Sequence, residues 1–88
     1  MKIKFLSFFL LCTLSINAQN ATTILDSIFE QHLINLGYDN TIDGLVITSN
    51  ISSLDTLIII GFLGFEITNL SGIEDFSNLQ YLDCSNNN

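Results

Sequence analysis

The sequence predicts an α/β protein: an N-terminal cap of one helix and one short strand, then about one and a half coils of a solenoid with parallel strands. Three observations predict it. An amphipathic segment runs from about residue 23 to 36. A polar turn and a β-branched stretch, "LVITSNI", follow it. From Leu54 onward the apolar residues recur in a fixed frame. With 88 residues the chain holds at most one small domain.

The chain opens "MKIKFLSFFLLCTLSINAQN". Two lysines, a short apolar run from Phe5 to about Ile16, and small or polar residues follow in the order of a secretory signal. Cleavage is expected after Ala18, so residues 1–18 are read as a signal peptide and the body begins at Gln19. A bilayer span takes about 20 apolar residues, more than this run supplies. Cys12 lies inside the run with no small residues before it, unlike a lipid-anchored cysteine. The expected location is secreted or cell-surface, with no membrane span after cleavage.

The charge distribution narrows the partners. The net charge is -7, and Lys2 and Lys4 are the only basic side chains besides His32. All nine acidic residues lie from Asp26 onward. Nucleic-acid affinity rests on Lys and Arg neutralising phosphates, so a nucleic-acid partner is excluded. After the leader only Cys84 remains, which excludes an internal disulfide, and no Cys/His cluster has zinc-ligand spacing. No cofactor or metal is expected.

In "TTILDSIFEQHLINLG", Ile24, Leu25, Ile28, Phe29, Leu33 and Leu36 share one helical face. Thr23 and Asp26 resemble a capping box, and Gly37 suits the left-handed end of the helix. His32 falls on the opposite flank, where a solvated side chain is expected, and it has no nucleophile or second ligand to join. The helix, turn and short strand make a cap over residues 19–50. In the turn "GYDNTIDG", Asp39, Thr41, Asp43 and Gly44 fall on positions one, three, five and six of a calcium-binding loop. The twelfth position, Asn50, lacks the carboxylate that closes such a cage. A plain Asp/Gly turn accounts for the same residues.

Residues 51–88 carry the repeat. Aligned at a spacing of 22 residues, Leu57 matches Leu79, Ile60 matches Leu82, Phe62 matches Cys84 and Phe65 matches Asn87. This is the leucine-rich repeat frame, L-x-x-L-x-L-x-x-N/C-x-L. It turns Leu82 and Cys84 inward and leaves Tyr81, Asp83 and Ser85 outward. Ile67, Leu70 and Ile73 would bury the returning side. The Asn87 amide would turn inward and bond backbone groups of the loop, which need partners once buried. Cys84 is then a small core hydrophobe rather than a reactive thiol.

The stretch from about Phe29 to Asn87, and "GIEDFSNLQYLDCSNN" most specifically, resembles the N-terminal end of secreted bacterial leucine-rich repeat proteins of the Bacteroidetes type. It is more distantly similar to the internalins. The resemblance implies a cap on the first coil and a strand face that binds protein or glycan. Carried over by position, the ligand-facing residues would be Ile59, Gly61 and Leu63, then Tyr81, Asp83 and Ser85. The chain departs from the family in having no proline before the cap helix, and in the continuous apolar run "LIIIGFLGF".

The expected function is therefore a non-catalytic, exported interaction module, read as a fragment of a longer protein whose last repeat is incomplete. Such a repeat leaves a strand edge through which the chain is expected to self-associate. Two alternatives stand beside it. One is the repeat region of an exported enzyme with a separate catalytic domain. The other is a small calcium-dependent module built on Asp39 and Asp43.

Overall fold

A computed structural model describes residues 20–88; the leader expected over 1–18, with Cys12, lies outside the described residues. The elements follow in the order β1 (Ala21–Thr23), α1 (Ser27–Asn35), β2 (Leu45–Ile47), β3 (Thr56–Ile58) and β4 (Tyr81–Asp83). One-turn 3-10 segments lie at Thr48–Asn50 and Ile73–Asp75. β1 and β2 pair antiparallel, with Thr22 opposite Val46. β3 and β4 pair parallel, with Leu57 opposite Leu82. No helix among the described residues is long and apolar enough to cross a membrane.

The helix starts later than the periodicity predicts. Asp26 is its N-cap, with Oδ1 accepting from the N–H groups of Ile28 (2.9 Å) and Phe29 (3.1 Å). A carboxylate there satisfies two orphan donors and meets the positive end of the helix dipole. Thr23, expected as the cap, belongs to β1, a strand the sequence does not announce. β1 is held by β2 and by its central Thr22, whose hydroxyl donates to Asp75 (2.8 Å) and so accepts from Thr48 (2.7 Å). The helix ends at a left-handed Gly37, φ 92°, as its position predicts.

Of the six residues assigned to one helical face, Ile24, Phe29 and Leu33 are buried and Ile28 is half-buried. Leu25 precedes the helix and is exposed, and Leu36, at the helix end, is also exposed. The core joins these buried residues to Val46, Ile51, Leu57, Ile59, Ile67 and Phe76. The Phe29 and Phe76 rings stack with centroids 6.1 Å apart, so the helix packs on the return segment between β3 and β4. Asp26 reinforces that seam. Its Oδ2 accepts from the Thr68 N–H (2.8 Å), the Thr68 hydroxyl (3.2 Å) and the Asn69 N–H (3.1 Å).

The parallel pairing corrects the register. The 22-residue alignment put Ile60 opposite Leu82; the structure puts Leu57 there, a spacing of 25 residues. The ladder continues with the Ile59 N–H donating to the Asp83 carbonyl (2.8 Å) and the Gly61 N–H to the Ser85 carbonyl (2.9 Å). The same frame fits Leu54, Leu57, Ile59 and Phe62 as well as it fits the residues first chosen. Side chains alternate along a strand, so an odd shift of three residues exchanges the two faces.

Candidate functional site

The outward face of β3 and β4 is one candidate site. Tyr81 is 55% exposed, Ser85 is exposed, and Asp83 is half-buried between them. Asp83 Oδ1 accepts from the Ser85 hydroxyl (2.7 Å) and the Ser85 N–H (3.1 Å). The hydroxyl bond, then the backbone bond, hold its carboxyl below the usual range. Tyr81 and Ser85 are thus open to solvent, whereas Asp83 is less exposed than its neighbour Leu82, which the repeat frame turns inward.

The assignments on β3 and beyond it need correction. Ile59, expected outward, is wholly buried, and Gly61 is buried too. The register shift is the cause. Ile58 and Ile60, 49% and 41% exposed, take the outward positions. A Cβ on Gly61 would fall onto the Asn87 side chain and the Asn86 carbonyl, so only glycine admits that loop. Leu63 is exposed but lies in the turn before Gly64, where Phe62 and Phe65 form an isolated antiparallel bridge. It does not continue the strand face. Phe62, expected inward, is exposed beside it.

Asn87 turns inward and explains how the loop after β4 is held. Its Oδ1 accepts from the Ile67 N–H (2.7 Å). Its Nδ2 lies within donating distance of the carbonyls of Ile59 (2.8 Å), Cys84 (3.0 Å) and Ser85 (3.2 Å). One amide thus joins β3, the return segment and the β4 loop. Beside it lies an open cavity of 340 Å³ lined by Ile67, Leu70, Cys84 and Asn87 among others. Cys84 is half-buried and packs against the core.

A second constellation lies in the cap. One carboxylate oxygen from each of Glu30, Asp39 and Asp43 lies within 4.8 Å of the others. Glu30 is 1% exposed, although helical periodicity does not mark it as a buried residue. Its Oε1 accepts from the Gly44 N–H (2.9 Å) and Oε2 from the Asp43 N–H (3.3 Å). Asp39 Oδ2 is buried with no donor. Burial, then the Asp39 carboxyl beside it, push the Glu30 carboxyl up to about 7 against the pull of the two N–H bonds. The available signal was a glutamate on the edge of an apolar helical face, followed by a turn with two aspartates.

The calcium-loop frame does not close around this cluster. Asn50, at the twelfth position, donates its amide to the Tyr38 carbonyl (3.3 Å), and Thr41 is exposed. His32 is not the solvated side chain its helical position predicts. Its ring lies 5.0 Å from that of Phe65, and its Nε2 is buried without a partner. Burial lowers its pKa, so the neutral ring is favoured.

No protein-family model, no curated protein and no solved structure matches this chain.

Proposed function

We propose that this chain is an exported, non-catalytic leucine-rich repeat module whose cap covers the first coil, and that it binds a protein or glycan through the outward face of β3 and β4. The observation that supports this most is the parallel pairing of β3 with β4 around an inward Asn87. That pairing carries the spacing and the asparagine of the repeat frame. The face combines exposed Ile58, Ile60 and Tyr81 with the hydrogen-bonding Asp83 and Ser85. An exposed aromatic and aliphatic group beside polar side chains is a composition suited to partner recognition.

Screening the chain against a glycan array and a displayed protein-fragment library tests this. An Ile60→Ser, Tyr81→Ser double variant is compared with the wild type, its fold checked by circular dichroism. Binding should weaken by about tenfold or more in the folded variant, as expected on losing an interface anchor. Ligands bound equally by both proteins, or none bound by either, would reject the proposal.

A further inference from the structure

The Glu30–Asp39 pair has an unbalanced charge. Glu30 is buried, a carboxylate oxygen of Asp39 lies within 4.8 Å of one from Glu30, and Asp39 Oδ2 is buried with no hydrogen-bond partner. No lysine or arginine exists among residues 20–88 to compensate them. Two carboxylates so placed repel when both are ionised, and a single proton between them removes the repulsion. Among the described residues, the groups around the pair leave no other source of balance. The turn contributes only Asp39 and Asp43 as carboxylates, while β1 and β2 carry no titratable side chain. On the helix, Asp26 is bonded to Thr68 and His32 lies against Phe65.

The same carboxylate holds the turn. Glu30 accepts the N–H groups of Asp43 and Gly44, immediately before β2. The Gly44 carbonyl in turn accepts from Ile24 (2.9 Å), which follows β1. The pair therefore sits where the helix, the turn and the antiparallel sheet meet.

We propose that Glu30 and Asp39 share one proton, and that this proton latches the Gly37–Gly44 turn onto the helix as a pH-sensitive lock on the cap. The inference goes beyond partner binding and does not depend on what the strand face recognises. Its direction follows from linkage. A carboxyl raised in the folded state stabilises the fold fully below the ordinary glutamate range, and the stabilisation is lost as pH rises through about 7. Higher pH therefore loosens the turn and lower pH closes it.

The test is a carboxyl-carbon NMR titration of the full chain in EDTA, with amide-exchange protection read at Asp43 and Gly44. Glu30 should titrate near neutrality. Protection at the two amides, corrected for base catalysis, should fall about tenfold or more between about pH 5.5 and about pH 8, given the free energy carried by each unit of pKa shift. In Glu30→Gln, an amide can donate to Asp39 Oδ2, and the protection should become flat with pH. Ionisation of Glu30 by about pH 5 would overturn the proposal on the wild type alone, even if the variant failed to fold. A pH-dependent loss of protection that persisted in a folded Glu30→Gln variant would also overturn it.

Discussion

The cap end and the β4 end of this molecule use similar apolar residues and reach different degrees of burial. At the cap, Phe29 and Leu33 are wholly buried, as is Ile51 next to it. At the other end Leu82 is 37% exposed, though it occupies the slot corresponding to wholly covered Leu57. Topology makes the difference. The core at the cap gathers residues from the helix, β2, β3 and the return segment. Among the described residues, β4 has only β3 beside it. Strand pairing sets which residues lie opposite one another, and the neighbouring layers decide how much apolar area each buries.

The sharpest way to break the comparison is to truncate one residue at each end. Phe29→Ala removes a ring with no exposed area that stacks on Phe76, and should cost ~3–5 kcal/mol. Leu82→Ala removes a side chain already partly in water and should cost ~1 kcal/mol. Urea unfolding of the two variants measures both. Equal losses would mean that β4 is covered in solution, for instance by a second copy pairing at its free edge.

Asn87 is the next most consequential position, because it connects the two regions. Asn87→Ala withdraws one acceptor and an amide donor shared among three carbonyls. It should cost ~2–3 kcal/mol, since partly buried backbone groups lose their partners. Asn87→Asp keeps the acceptor for Ile67 but turns a negative oxygen toward those carbonyls, and should do no better. If urea unfolding placed either variant within ~0.5 kcal/mol of wild type, in the range of ordinary surface changes, the amide would not be the join.

Much of this arrangement was legible in the sequence, and each part that was not has a physical cause. The polar residues that flank them mark Cys84 as a core contact and Asn87 as a loop residue, while Leu82, expected inward on the same pattern, is 37% exposed. The run from Leu57 to Phe65 has no such contrast. Two registers three residues apart fit it equally well, and the wrong one exchanged Ile59 and Gly61 with Ile58 and Ile60. β1 escaped notice because it is three residues long and held by pairing and by Thr22, both long-range effects. Glu30 and His32 are polar residues on a helix, for which solvation is the local expectation. Their burial comes from the Gly37–Gly44 turn and from Phe65, and neither contact is visible in helical periodicity.

Asp26 and Glu30 refine the comparison within the cap itself, since one helical turn separates them and their carboxyls shift in opposite directions. Burial works to raise the Asp26 carboxyl, but the N–H bonds from Thr68, Phe29 and Ile28 outweigh it and hold the group below its ordinary range. A depressed carboxyl contributes stability that is present above the unfolded-state pKa and lost as pH falls through the folded one. Asp26→Asn preserves a good N-cap but turns an N–H donor toward Thr68 and Asn69, and should cost ~1 kcal/mol at neutral pH, a modest figure because the site is partly solvated. The difference between variant and wild type, measured by urea unfolding, should shrink as Asp26 takes up its proton below about pH 4. Glu30 acts on the other side of the range, losing its stabilising proton as pH rises. If the Asp26→Asn deficit instead stayed constant down to about pH 2, below the ordinary aspartate range, the Thr68 and Asn69 bonds would not depend on charge, and the seam between helix and return segment would rest on packing alone.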